Sequence, residues 1–270
     1  MAHEAGTADR EPQLPPPAAD DGCWRQGPAA VAEMKRLLRL AGPIVASCFL
    51  ENAATLMSLM FVGHLGKLNL AGASLAIAIT SATGRNIIIG MSTALDTLCG
   101  QAFGTGQYHL LGIYKQRGML VIGLFCVPFT FVWAFAGEIL VLLRQDRAVA
   151  AEAGAYARWF IPSIFLSVPL QCHVRFLQAQ SLVLPVMASS AATALCHAAV
   201  CWELVYKAGM GSKGAALSNA ISCALNLVIL ALYVRMSSAC RRTWNGFSME
   251  AFKELRPFAA LAVPSGFMIW

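Results

Sequence analysis

The chain has 270 residues, 57% hydrophobic and 13% charged, with a mean hydropathy of +0.60. That is too apolar and too sparsely charged for a water-soluble enzyme. The net charge of +6 does not point to nucleic acid, because the Lys and Arg residues form no continuous stripe and gather at the ends of apolar runs.

Residues 1–30 are rich in Pro, Ala, Gly and acidic side chains and have no apolar period, which predicts a disordered cytosolic tail. No apolar core follows a basic start, so a cleaved signal peptide is not expected and the first span would direct insertion. Six apolar runs long enough to cross a bilayer come next: Leu37–Val62, Leu70–Leu98, Gly118–Leu143, Ala155–Leu177, Leu184–Tyr206 and Gly214–Val234. Pro128 predicts a break or kink in the third, and Pro162 and Pro169 fall inside the fourth. The expectation is an all-α membrane protein, a six-transmembrane-helix bundle over residues 31–240. Of the 20 Lys and Arg residues, 13 lie in the tail, in the even-numbered connections or at the span ends beside them (Arg39 and Arg175), which predicts that both termini are cytosolic.

The sixth connection, residues 241–257, is basic and reads as amphipathic from Ser248 onward. It is expected to be an inter-lobe linker with a helix lying along the membrane surface, and anionic-lipid recognition is the functional alternative. Residues 258–270 then begin a seventh apolar run. A shift of 221 positions places Glu33, Lys35, Leu40, Ala41 and Pro43 on Glu254, Arg256, Leu261, Ala262 and Pro264. Six spans is an even number, so a second copy would start with the same orientation, as parallel repeats do.

Four stretches go beyond what packing demands: FVGHLGKLNLAGASLA from Phe61, STALDTLCGQAFGTGQYHLLGIYKQRG from Ser92, VPLQCHVRFLQAQS from Val168 and GSKGAALSNAIS from Gly211. Together they resemble the multidrug and toxic compound extrusion (MATE) transporters, in particular their plant detoxification branch. The resemblance implies twelve spans in two six-helix lobes with a substrate cavity between them. This chain would hold one lobe and the start of the second, in the plasma or vacuolar membrane.

Charged groups within spans are costly, so they are the candidates for function. Glu51 and Arg85 lie near the middle of their spans and either pair inertly with each other or face the central cavity. In the family the first position is more often an amide and the second apolar or aromatic, so both are departures. The family's seventh span reads P-S-A-x-M-x-C-L-E, and the 221-residue offset makes Glu51 the repeat-mate of that coupling glutamate. Asp96 lies across a turn from Lys115 and Arg117, as a structural salt bridge, a loop clamp or a coupling site. Gln101, in the same signature, shares that ambiguity. Glu203 and Lys207 are spaced for a snorkelling i,i+4 pair, and His197 reads as a hydrogen-bonded packing residue or a proton relay.

The nine cysteines show no C-x-x-C and no metal spacing, and most lie in apolar runs as packing residues. No metal site, cofactor or catalytic residue is expected, and no H-E-x-x-H or nucleophile elbow supports a membrane-embedded enzyme. Two functions remain. One is a proton-coupled antiporter that expels organic compounds by alternating access, its partners the bilayer, small organic substrates and protons. The other is a transport-incompetent single lobe that partners a second lobe or a full-length relative.

Overall fold

The computed structural model describes residues 27–244 and 246–269, in two compact units divided after Arg39. The first unit carries the start of α1 (Gly27–Gly63), where Val31, Met34, Leu37 and Leu38 are exposed. Residues 27–30 are helical rather than tail, and the remainder of the expected tail lies outside the described residues.

Among the described residues, the regular structure of the second unit, from Leu40, is all helical. After α1 come α2 (Lys67–Thr80), a π turn at Ser81–Arg85 and α3 (Asn86–Gly104). Next are α4 (Tyr108–Ala134), a short α5 (Ala136–Leu142), α6 (Arg147–Ala179), α7 (Val183–Trp202) with a π turn at Glu203–Lys207, α8 (Ser212–Met236) and α9 (Leu255–Ile269). Six of these helical segments are long and apolar enough to cross a membrane. Phe49, Leu124, Phe131, Phe165, Leu195 and Leu232 are exposed on the outside, as a lipid-facing surface requires.

α6 is the hub of the bundle, packing against α2, α3, α4, α5 and α8. It starts cleanly because the Asp146 carboxylate accepts hydrogen bonds from the Ala148 and Val149 N–H groups, at 2.9 and 3.2 Å. Pro162 and Pro169 both lie inside it. The third span does not break at Pro128, which α4 carries internally. It breaks at Phe135, after which α5 turns against α6 through Gly137 and Gly154, where a Cβ on Gly154 would sit 2.8 Å from the Gly137 Cα. α9 lies along α3 with equal intimacy: a Cβ on Gly90 would stand 2.8 Å from the Gly266 Cα.

The connection between α8 and α9 differs from the surface helix expected over it. It contains two short 3₁₀ turns, Ser238–Cys240 and Met249–Phe252, and folds back on the start of α4. Three consecutive α4 residues hold it. Lys115 places its ammonium over the rings of Trp244 and Phe176, 3.6 and 4.8 Å from their centroids. Gln116 donates to the Gly246 carbonyl at 2.9 Å and accepts from the Ser248 N–H at 3.0 Å. Arg117 pairs with Glu254 at 3.2 Å and donates to the Glu250 carbonyl. Thr243 donates to the Gln180 side chain at 2.9 Å. These bonds take up the Gly246 and Glu250 carbonyls and the Ser248 N–H, backbone groups that would otherwise need partners of their own.

Candidate functional site

The sequence of the second span is apolar and rich in small residues from Lys67 to Ile79, then changes to Thr80-Ser-Ala-Thr-Gly-Arg85. Thr80 and Thr83 hydroxyls bond back to the Ala76 and Ile79 carbonyls, at 2.8 and 2.6 Å, which loosens the local ladder. The backbone widens there into a π turn, with the Asn86 N–H reaching the Ser81 carbonyl. Trp133 of α4 secures the turn by donating its indole N–H to Thr83 at 2.8 Å, and its ring fills the space beside Gly84. The inserted residue rotates the rest of the helix by about 100°, so it sets the direction in which Arg85 points.

Arg85 points into a cleft, open to the exterior, between α1, α2, α3, α6, α7 and α8. Glu51 of α1 lines the same cleft and stands 4.0 Å from Arg85, both side chains about one-third exposed. The two charged candidates near mid-span therefore do meet, and they meet on the cavity wall. α1 is the least buried of the membrane-spanning segments, and among the described residues three polar contacts tie it inward: this pair, the bond from Ser58 to His197, and the hydrogen bond that the Tyr206 hydroxyl donates to the Phe61 carbonyl at 3.1 Å.

His197 is buried on α7, with Ser58 Oγ 2.9 Å from Nε2 and Ser222 Oγ 2.8 Å from Nδ1. Only one nitrogen of a neutral imidazole bears a proton, so one serine accepts and the other donates. His197 is thus a hydrogen-bonded wall residue of the same cavity.

Three wall groups were not singled out by charge or motif. Ser190 Oγ, Thr193 Oγ1 and Asn226 Oδ1 are buried side-chain atoms with no hydrogen-bond partner among the described residues, and all three residues line the cleft. Unpartnered buried groups cost stability unless a ligand or water satisfies them. A signal was present in the spacing: Ser190, Thr193 and His197 on α7, and Asn219, Ser222 and Asn226 on α8, each recur at i, i+3 and i+7. That spacing places each trio on one helix face. The apolar part of the wall comes from Trp133, Phe160, Ile164, Ile77 and Ile88.

The two remaining candidates lie elsewhere. Asp96 does not pair with Lys115 or Arg117 across the turn. It accepts a 3.0 Å hydrogen bond from Arg175 of α6, whose guanidinium also reaches Ser92 and Gln178. Lys115 and Arg117 are already committed to the connection before α9. Gln101 is exposed near the end of α3, apart from the cleft. Glu203 and Lys207 form the expected i,i+4 pair at 3.8 Å, well exposed and within the second π turn. Among the described residues, no group of His, Cys, Asp and Glu is placed to share a metal ion.

Residues 43–202 match the family model described as MatE. Among curated proteins, Protein DETOXIFICATION 16 and Protein DETOXIFICATION 15 of Arabidopsis thaliana are 47% and 46% identical over 237 residues, which is 88% of this chain and 49% of each relative. The chain therefore spans about half the length of the curated relatives it matches. Among solved structures, the eukaryotic MATE transporter AtDTX14 superposes with a TM-score of 0.86 at 40% identity, covering 88% of this chain and 53% of that one. The Vibrio cholerae MATE transporter VcmN in its bent form reaches a TM-score of 0.70 at 18% identity over 87% of this chain and 54% of that one, a likeness of fold.

Proposed function

Since the chain belongs to the MatE family of multi-pass membrane transporters, we propose that it forms the first lobe of a secondary antiporter that exports organic compounds in exchange for protons. The observation that carries this reading is the Glu51–Arg85 pair on the wall of an open cleft. At 4.0 Å and partial exposure the two groups are loosely held. A proton or a cationic substrate can therefore take the place of Arg85 at the Glu51 carboxylate, and release of that occupant restores the pair. The apolar side of the cleft accepts rings, while the unpartnered hydroxyls and the Asn226 carbonyl oxygen accept or donate hydrogen bonds to the cargo. The proton gradient is the driving force, and no cofactor takes part. Both termini face the cytosol, in a plasma or vacuolar membrane.

The chain's coverage of about half of each relative favours a second point: transport requires a second lobe, on the same polypeptide or another. Residues 1–270 reconstituted alone in proteoliposomes should give no efflux, and joined to a second lobe from a relative they should give efflux of a fluorescent organic cation that rises with the imposed pH gradient. In the two-lobe protein Glu51→Gln should flatten that pH dependence. An unchanged pH profile in Glu51→Gln overturns the coupling role, and gradient-driven efflux by the lone chain as a monomer overturns the single-lobe assignment.

A further inference from the structure

The connection from Ser237 to Glu254 turns one side to α4 and leaves the other uncovered. Phe247, Met249 and Phe252 are 88%, 79% and 58% exposed. Arg241, Arg242 and Lys253 are exposed in the same stretch and form no ion pair among the described residues. Of the two acids there, Glu254 is engaged by Arg117, which leaves Glu250 as the one opposing charge. Large apolar side chains interleaved with uncompensated bases suit a surface that is oily inside and negatively charged at its rim.

The position of the stretch identifies that surface. It joins the end of one membrane-crossing helix, α8 at Met236, to the start of another apolar helix, α9 at Leu255. Its grip on α4 is at residues 112–117: a Cβ on Gly112 would lie 2.9 Å from the Thr243 carbonyl oxygen, and Lys115, Gln116 and Arg117 hold residues 244–254. Tyr108, where α4 begins, lies about 10 Å farther along the helix axis from Lys115 at 1.5 Å rise per residue. The connection is thus pinned about two turns inboard of the α3–α4 turn, at the level where the apolar part of α4 begins. Trp244 lies between, with one face on the Lys115 ammonium and its ring in an edge contact with Phe247 at 5.6 Å. Tryptophan in such a place is typical of the boundary between headgroups and acyl chains.

We propose that this strap is a binding surface for anionic phospholipid. Arg241, Arg242 and Lys253 meet headgroup phosphates, and Phe247, Met249 and Phe252 enter the acyl boundary of the same leaflet. Because Lys115, Gln116 and Arg117 hold the strap in place, the surface is preorganised and needs no folding on contact. Lipid binding here requires that the bundle cross a membrane and is independent of what it transports.

The test titrates phosphatidylglycerol or phosphatidylcholine with brominated acyl chains into the full chain in detergent and reads quenching of the tryptophan signal that Trp244→Phe removes. The native chain should bind phosphatidylglycerol more tightly than phosphatidylcholine. Arg241→Gln/Arg242→Gln/Lys253→Gln should lose on the order of a hundredfold in affinity for phosphatidylglycerol, about fivefold for each base removed. Arg241→Lys/Arg242→Lys should keep the preference, which guards against a folding defect. Phe247→Ser should weaken both lipids and leave their ratio unchanged. Equal binding of the two lipids by the native chain, or an undiminished preference in the folded triple variant, overturns the proposal. Displacement of phosphatidylglycerol by millimolar inorganic phosphate would mark a free-phosphate site and would also overturn it.

Discussion

Arg175 donates a 3.0 Å hydrogen bond to Asp96, joining α6 to α3 across 79 positions of sequence. The same guanidinium reaches Ser92 Oγ and Gln178 Oε1, so Asp96 is one corner of a polar network on the hub helix. Asp96 is not among the residues that line the cleft.

We propose that Asp96 is a structural acid. Asp96→Asn and Arg175→Gln should each lower stability, and a double-mutant cycle on thermal unfolding in detergent should return a coupling of about 1 kcal/mol, since both partners are partly exposed. In a two-lobe protein Asp96→Asn should leave the pH profile of efflux where it was. A shifted profile would make Asp96 a coupling residue.

The Glu51–Arg85 contact is long and partly exposed, so its removal should cost stability little, within about 1 kcal/mol. Transport should suffer far more than stability in Glu51→Gln. If Glu51→Gln instead fails to fold and Glu51→Gln/Arg85→Leu recovers the fold, the pair is structural and the coupling role is lost.

At the π turn, a Cβ on Gly84 would stand 2.3 Å from the Trp133 ring. Gly84→Ala should therefore destabilise by about 1–3 kcal/mol, an overpacking cost. Gly84→Ala/Trp133→Phe should recover part of the loss, read as the midpoint of thermal unfolding. An unaffected Gly84→Ala would show that the turn relaxes freely.

Thr193 has a buried hydroxyl without a partner among the described residues, so Thr193→Val should be neutral or stabilising by up to about 1 kcal/mol. Asn226→Leu should behave alike, and in the two-lobe protein both should weaken export of hydroxyl-bearing cargo more than of cargo without donors. A large stability loss in Thr193→Val would mean that the hydroxyl is already satisfied.

Cys240 lies outside the spans, buried within the strap, and burial pushes its thiol above the ordinary range against the opposing pull of the Lys115 ammonium. Only the thiolate is nucleophilic, so alkylation of Cys240 at about pH 8 should be slow and should speed up as pH rises past the usual thiol range. Trp244→Ala removes the ring above Lys115 and should open the strap, raising that alkylation rate, as peptide mass spectrometry would show. Equal rates in the two proteins would mean that the strap is held without Trp244.

Several structural facts were legible in the residues. The six spans agree with the helices to within about one to three turns at each end, because sustained apolar length is a local property. The family motifs placed the chain correctly, and Glu203 with Lys207 needed only i,i+4 spacing on one helix. Glu51 and Arg85 stand out in the sequence as lone charges at similar depth in apolar spans, but the sequence leaves open whether they meet, and their 4.0 Å approach comes from packing. The partners of Asp96 were not legible. Lys115 and Arg117 are near it in sequence, but the connection before α9 claims them, and nothing local reveals that a segment more than a hundred residues away folds back.

What the sequence by itself determined is which stretches cross the bilayer, which family they belong to and how charge is spread along them, because each depends on composition and order within short windows. Only the tertiary structure decided what faces what. The π turn at Ser81–Arg85 adds a residue to the helix and resets the direction of Arg85. The break at Phe135 came seven residues after the proline that was expected to cause it. The strap traded an expected surface helix for contacts to α4. In each case side chains from distant helices supply or withhold the hydrogen bonds and the space that settle a local choice, and those partners are set by packing rather than by neighbours in the chain.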